Sequence, residues 1–198
     1  MRSLLILSLI VFCSISLRAQ NVDSIKKVIS GVYDSIEVHD GDSTIYVARI
    51  ELSNKHFIDG LNKANAKDYQ GAISEFDRAV SLNNMNHEIY FNRGLAYFFM
   101  NIHKMAVNDF TRSIEIDPKY YLAYLQRGVA NYQLNEFEKA VNDFNKAIEI
   151  YPKKPAAYLN LATTYMSLKK MEEACKSLEK AKDLGDSNAI LLYKEYCE

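Results

Sequence analysis

A period of 34 residues runs without insertion from Ser53 to Asn188, and it restricts the fold more than any other feature of the chain. Small and aromatic side chains recur at fixed places in each period. The recurring sets are Gly60, Gly94, Gly128 and Ala162, then Ala72, Ala106, Ala140 and Ala174, then Phe76, Phe110, Phe144 and Leu178. A repeat of this length indicates stacked helix–turn–helix units, none of which can bury its apolar face alone. The sequence therefore predicts an all-α solenoid, an architecture that serves to bind other chains.

Local signals in each unit agree with paired helices. Val141, Phe144 and Ile148 lie at i, i+3 and i+7, which is the spacing of one apolar helix face. The small residues let the two helices of a unit approach closely, and the phenylalanine is expected to fill the space against the next unit. Pro118 and Pro152 cannot continue a helix, so they end the second helix of their units.

These residues resemble the tetratricopeptide repeat family, whose unit has two helices, A and B, with characteristic residues at fixed positions. The match gives four units, at residues 53–86, 87–120, 121–154 and 155–188. The second unit follows the pattern with Tyr90, Gly94, Tyr97, Ala106, Phe110 and Pro118. The third unit has Asn131 where the family has tyrosine, and the first unit is the weakest match, with Lys63 at that position.

The resemblance implies a non-enzymatic protein–protein interaction module, an adaptor or scaffold. In the family, helices A line a concave groove that holds a peptide or helix of a partner. The residues assigned to the partner-binding groove by this match are Phe57, Leu61, Phe91, Leu95, Phe98, Phe99, Leu122, Leu125, Val129, Tyr132 and Met166. Phe91 and Leu125 are equally compatible with packing between helices. The alternative function is a structural subunit of a cell-envelope assembly, whose groove is filled by self-association or by the chain's own N-terminal helix.

The resemblance also argues against one kind of partner, the C-terminal tail of a chaperone. Family members that grip the C-terminal carboxylate of chaperones use basic and asparagine side chains at fixed positions of three successive units. The matching residues here are Phe57, Leu61, Asn92, Leu122 and Gln126. Both basic positions are lost, so the sequence predicts that the carboxylate clamp for chaperone tails is absent.

The first 20 residues read as a secretory signal peptide. Arg2 precedes an almost wholly apolar run from Leu4 to Leu17, and these 14 residues fall short of the roughly 20 that a spanning helix needs. Cleavage after Ala19 would export the protein to the periplasm or to the exterior. A lipoprotein anchor at Cys13 and a retained membrane anchor are the alternatives.

Two helical segments are predicted to flank the repeats. Residues 21–52 are expected to hold an amphipathic helix over 21–38 and a second helix that starts near Ser43 and continues into the first repeat. Weak alternation over 45–52 leaves a strand as the alternative there. The helix over 21–38 would either cover the first repeat or compete for the groove. Residues 189–198 are expected to form a capping helix with Leu191, Leu192 and Tyr196 facing inward.

Export would place Cys175 and Cys197 in an oxidising compartment, where disulfides persist. These two cysteines are the even pair that remains after cleavage of the leader. Cys175 lies on helix B of the fourth unit, and Cys197 lies near the end of the capping helix. They are predicted either to form a disulfide that locks the cap onto the array or to be two small buried thiols. The pair also resembles the Ala-Cys and Tyr-Cys ending of secreted bacterial repeat proteins.

No motif for catalysis, a cofactor or a metal is recognisable in the sequence. The four histidines lack the spacing of shared metal ligands, and His56 and His103 fall at core positions of the repeat. A net charge of −1 gives no basic stripe for nucleic acid. Several helix B carboxylates are expected to form a wetted convex surface, namely Glu75, Asp77, Asp109, Asp143 and Glu149.

Overall fold

The computed structural model describes residues 43–198, and all regular structure in that range is α-helical. The predicted all-α repeat fold is confirmed. The helices of this range are α1 (Ser43–Asn65), α2 (Tyr69–Leu82), α3 (His87–Phe99), α4 (His103–Ile116), α5 (Tyr121–Gln133), α6 (Phe137–Ile150), α7 (Pro155–Ser167), α8 (Met171–Asp183) and α9 (Ser187–Tyr196). The leader and the helix predicted over 21–38 lie outside the described residues. No described helix is both long and apolar enough to cross a membrane.

The helices alternate along the chain as the repeat requires. Helices A are α1, α3, α5 and α7, and helices B are α2, α4, α6 and α8; from α2 onward each helix packs against the next one. The first helix is the exception in length, because α1 has 23 residues whereas α3 has 13. It is one continuous helix, so residues 45–52 are helical rather than extended.

A residue in the left-handed conformation ends each helix A at the same place in the period. These residues are Lys67, Asn101, Asn135 and Lys169, with φ between 59° and 62°. Across the second of these turns, the Ile102 N–H donates to the Tyr97 carbonyl at 2.9 Å. Such a bond satisfies a carbonyl that the helix end leaves free and directs the chain into helix B. Asparagine tolerates this conformation better than lysine, so the sequence alone does not reveal the turn in the first and fourth units.

The two helices of a unit meet where a phenylalanine ring lies against a glycine. A Cβ built on Gly60, Gly94 or Gly128 would lie 2.5–2.8 Å from a ring carbon of Phe76, Phe110 or Phe144, respectively. Each ring thus occupies the place of the glycine side chain in its own unit. The fourth unit replaces the pair by Ala162 and Leu178, both fully buried. Glycine is therefore required in the first three units by the size of the ring opposite.

Helix α9 packs on α8 with a different face from the one predicted. Ala189 is fully buried, whereas Leu191 is 67% exposed and Tyr196 is 51% exposed, so the prediction that these two face inward is wrong. Leu192 does pack against the core. The 34-residue period would begin this helix at residue 189, but it begins at Ser187. Counted from the first residue of its helix, Ala189 has the place that Ala123 and Ala157 have in α5 and α7, and all three are buried.

Three contacts hold α9 in place. Asp186 accepts hydrogen bonds from the backbone N–H groups of Asn188 and Ala189, both at 3.0 Å. Lys182 Nζ lies 3.7 Å from the centre of the Tyr193 ring. Cys175 and Cys197 form a disulfide, with their Cα atoms 5.7 Å apart. A helix of ten residues is marginal by itself, so these contacts and the burial of Ala189 fix its position.

The contact between glycine and phenylalanine generates a stability prediction. In Gly128→Ala, the new methyl group would lie 2.6 Å from the Phe144 ring. Overpacking of this kind costs about 1–3 kcal/mol, which exceeds the gain of about 1 kcal/mol from the better helix propensity of alanine. We therefore expect the free energy of unfolding, measured by urea denaturation, to fall by about 1–2 kcal/mol.

The fourth unit supplies the matched control for this prediction. Adding Phe144→Leu to Gly128→Ala recreates the Ala162 and Leu178 pair, so we expect the double variant to lose less stability than the two single losses added together. A Gly128→Ala variant as stable as the unchanged protein would show that the ring moves away at no cost.

Candidate functional site

The apolar residues assigned to the groove lie on four helices A and differ in how much surface they offer. Seven of them are partly buried, namely Phe57, Leu61, Leu95, Phe98, Val129, Tyr132 and Met166. Phe99 is 58% exposed and Leu122 is 40% exposed. Phe91 and Leu125 are each only 7% exposed. Nine of these eleven side chains are therefore at least partly exposed, so a ligand can contact them.

Phe91 and Leu125 belong to the central core cluster rather than to the accessible surface. The Phe91 ring lies 5.7 Å from that of Phe110 and 5.0 Å from that of Tyr120, measured between ring centres. Leu125 occupies the same place one unit later. Both side chains join neighbouring helices, so they support the groove and offer little area to a partner.

Phe98 and Phe99 stand in a row of aromatic rings at the end of α3. The Phe99 ring stacks on Tyr69 of the preceding unit at 5.2 Å, and the Phe98 ring meets Phe99 edge-on at 6.0 Å. Phe98 also contacts the His103 ring at 5.0 Å. These contacts restrict the motion of the rings, which lowers the entropy lost when a partner binds them. Phe99 lies at the turn between helices A and B rather than at the groove centre.

Tyr132 joins the third and fourth units. Its hydroxyl lies 3.0 Å from Ser167 Oγ, and its ring lies 5.4 Å from that of Phe137. The hydroxyl bond and the ring contact hold the side chain between α5 and α7. Tyr132 thus presents an apolar ring face together with a polar end, a combination that is common at protein interfaces.

The groove positions carry almost no charge. None of the eleven residues assigned to the groove carries a charge. A neutral groove cannot attract a partner over a long distance. Affinity at this surface would have to come from burial of apolar area.

Between helices A and B, two arginines are paired with buried carboxylates. Arg93 donates to both carboxylate oxygens of Asp109, at 2.8 and 2.6 Å. Arg127 donates to Asp143 in the same way, at 2.6 Å for the shortest bond. Burial alone would lower the pKa of Arg93, but its two carboxylate neighbours, Asp109 and Asp77, raise that pKa above its ordinary value. Burial raises the pKa of Asp109, against the hydrogen bond from Arg93.

The expectation of a wetted surface is therefore wrong for three of the five helix B carboxylates. Glu75, Asp109 and Asp143 are buried, whereas Asp77 and Glu149 are exposed. A signal for this was present in the sequence. Arg93 and Arg127 each precede their aspartate by 16 residues, so a cation and an anion recur at one fixed separation.

The first unit has a different charged group, centred on Glu75. His56 Nδ1 lies 2.8 Å from one carboxylate oxygen of Glu75, and Lys63 Nζ donates to the other at 2.9 Å. Burial would raise the pKa of Glu75, but the hydrogen bonds from Lys63 and His56 hold it below its usual range. Asp59 brings a further ligand atom within 4.8 Å, which makes this a possible metal-binding set within residues 43–198. Lys63 and Arg78 already neutralise the carboxylate, so the set favours an ion pair over a divalent cation.

Family models match three stretches of the array. One described as TPR repeat matches residues 130–169, and two described as Tetratricopeptide repeat match residues 87–120 and 155–184. No curated protein sequence matches the chain.

Solved structures of similar fold include other repeat proteins. MamA is 23% identical with a TM-score of 0.66, and the match covers 83% of this chain and 89% of MamA. YrrB, described as a TPR protein with an unusual peptide-binding site, is 20% identical with a TM-score of 0.66, over 88% of this chain and 85% of YrrB. The first TPR of Spaghetti (RPAP3), bound to an HSP90 peptide, is 22% identical with a TM-score of 0.60, over 61% of this chain and 95% of that domain. At these identities the likeness is one of fold.

The charged group around Glu75 predicts an acid-sensitive contribution to stability. A carboxyl whose pKa is lowered by folding stabilises the folded state above its unfolded pKa of about 4.5, and that contribution disappears as the pH falls through the folded value. We expect the free energy of unfolding to decline below pH 4.5 less steeply in Glu75→Gln than in the unchanged protein. Denaturation curves at several pH values measure this. Glu179→Gln, at an exposed position, controls for the loss of one charge. Identical slopes for Glu75→Gln and the unchanged protein would contradict the assignment.

Proposed function

Because the chain belongs to the tetratricopeptide repeat family, we propose that it is an exported, non-enzymatic adaptor that holds an apolar helix or extended segment of another protein. The observation that carries the proposal is the run of accessible apolar side chains, with Leu95, Phe98 and Tyr132 at its centre, on a surface almost without charge. Soluble proteins seldom leave contiguous apolar area exposed without a use.

Two of the structural relatives support a peptide as the ligand. YrrB is described as having a peptide-binding site, and the RPAP3 domain is bound to an HSP90 peptide. The ligand proposed here differs in chemistry from an acidic chaperone tail. Phe57, Leu61 and Leu122 stand where a carboxylate clamp needs polar or basic side chains, so an apolar segment fits this groove better.

A small number of rings would supply most of the affinity. Interfaces usually depend on a few aromatic anchors in a desolvated centre. Phe98 and Tyr132 are suited to this role because each is already held by its neighbours, His103 and Phe99 for the first and Ser167 for the second. Little side-chain entropy would then be lost on binding.

Export is the part of the proposal that rests on the sequence of the leader. The apolar run from Leu4 to Leu17 and the cleavage site after Ala19 direct the chain out of the cytoplasm. The disulfide between Cys175 and Cys197 agrees with an oxidising compartment, where such bonds persist. The periplasm and the exterior both satisfy this condition.

The experiment is a crosslinking pull-down from envelope extract with the unchanged protein and three variants. In Phe98→Asp and Tyr132→Asp, a charge replaces an anchor ring, so we expect recovery of the partner to fall by about tenfold or more, with helicity unchanged by circular dichroism.

Met85→Asp is the matched control, because Met85 is 66% exposed and lies in the connection between α2 and α3, outside the groove. It should recover as much partner as the unchanged protein. If all three variants recover equal amounts, the groove is not the binding surface.

The second candidate function is a subunit of a cell-envelope assembly, and the outward face of α9 favours it. Ile190 and Leu191 are 47% and 67% exposed there, at the end of the array. Self-association through this face or through the groove would give a sedimentation coefficient that rises with protein concentration, and Leu191→Asp would reduce the rise if α9 is involved. If the chain's own N-terminal helix occupied the groove, the protein would instead be a monomer. Its affinity for the partner would then rise in a variant with Ile25→Asp and Val32→Asp, which interrupt that helix.

A further inference from the structure

An open polar crevice lies between the second and third units, on the side of helices B. Its volume is about 280 Å³. Two helices B and one helix A line it, with Val107 and Thr111 on α4, Arg127 and Asn131 on α5, and Lys139, Asn142 and Asp143 on α6. None of these residues belongs to the groove set, so the crevice is a separate surface.

The third unit differs from the second at Asn131, a residue that lines the crevice. The residue one period before Asn131 is Tyr97, whose larger side chain packs against the core clusters at the matching place. Asparagine is much smaller than tyrosine, so the space that a ring fills in one unit stays open in the next. The fourth unit returns to tyrosine with Tyr165.

The charged residues around this space differ from those at the same place in the preceding unit. Arg93 binds two carboxylates, Asp109 and also Asp77, whose Oδ1 accepts from Arg93 Nη1 at 2.7 Å. One period later Thr111 stands in place of Asp77, and the Nη1 group of Arg127 donates to its hydroxyl at 3.1 Å. Arg127 has therefore lost one of the two carboxylates that its counterpart has.

A second cation replaces an apolar residue at the rim. Lys139 stands one period after Met105, and its side chain is 68% exposed. It pairs with Glu136, but an ion pair at the surface contributes about 0–1 kcal/mol, so Lys139 can turn to another anion. Among the lining residues themselves, the earlier place has one cation and two carboxylates, whereas the crevice has two cations and one carboxylate; Glu136, the partner of Lys139, lies outside the lining.

The remaining carboxylate of the crevice is already occupied. Asp143 accepts from Arg127 through both oxygens and from Asn131 Nδ2 at 2.9 Å. Asn131 Oδ1 is enclosed and has no hydrogen-bond partner among the described groups, so it does not present an acceptor to an incoming anion. The donors that the crevice can offer to an anion are consequently Arg127 Nη1, which donates to a hydroxyl and not to a carboxylate, and the exposed Lys139.

We propose that this crevice binds a carboxylate, which takes the place that Asp77 has beside Arg93 and bridges Arg127 and Lys139. An arginine presents its N–H groups in a fixed fork that suits a carboxylate, and the polar side chain of Asn142 completes the rim. The carboxylate belongs either to a free small acid or to an aspartate or glutamate side chain of a protein partner. The fourth unit has Leu161 in place of the arginine, so residues 43–198 hold one such site.

The test is a titration followed by NMR, with the Arg127 Nε–H and the Thr111 amide as reporters. The probes are glutarate and a terminally blocked Gly-Glu-Gly peptide, with sodium chloride and Gly-Gln-Gly as controls at matched ionic strength. We expect saturable shifts with both acidic probes and none with the controls. Affinity should be in the millimolar range for a single desolvated contact.

Two variants rebuild the second unit inside the third. Thr111→Asp supplies the carboxylate that Asp77 provides, and Asn131→Tyr restores the ring of Tyr97; each should weaken binding by about tenfold or more. Lys146→Gln, a lysine of α6 that pairs with Glu149 outside the crevice, should leave binding unchanged.

The outcomes distinguish the two sources of the carboxylate or contradict the proposal. Tighter binding of the glutamate peptide than of glutarate assigns the site to a partner's acidic side chain, and equal binding assigns it to a free carboxylate. The proposal is overturned if neither acidic probe gives a saturable shift, or if Thr111→Asp and Asn131→Tyr bind as well as the unchanged protein. Binding in the groove, measured with Phe98→Asp, is independent of all these results.

Discussion

The close approach of two helices at a glycine determines most of the structure. Where Gly94 lies under the Phe110 ring, α3 and α4 are near enough for a side chain on one helix to reach the other without crossing water. Arg93, the neighbour of that glycine, then meets Asp109, the neighbour of that phenylalanine. The same contact recurs at Gly128 and Phe144, so the array repeats a packing contact and an ion pair together.

This arrangement separates the chemistry of the two surfaces. Side chains such as Arg127 and Asn131 point from α5 towards helices B and carry charge or polar groups, whereas Val129 and Tyr132 on the same helix lie among the groove residues. Two faces of one helix therefore contribute to two separate surfaces. A carboxylate bound on one side and an apolar segment on the other would not compete, because no residue is common to both.

The sequence predicted the features that recur with the period and missed those that depend on a particular partner. The helices and their order follow from small and aromatic residues that return every 34 positions. Asp143 reads as an exposed helix B carboxylate until Arg127, 16 residues earlier, is considered together with it. Leu191 was predicted to face inward, but α9 buries Ala189 and leaves Leu191 67% exposed. The crevice needs both the loss of a ring at Asn131 and the geometry of three helices, and only the first is visible in the sequence.

The disulfide also affects how the array transmits mechanical force. Cys197 directly follows α9 and is bonded to Cys175 in the first half of α8. Tension on the chain after Cys197 therefore passes through a covalent bond into α8, and α9 itself carries no load. The weakest mechanical element at this end is then the packing of α8 on α7 rather than the ten-residue helix. A short terminal helix closed by a covalent ring is thus protected from being peeled off by a pull at that end.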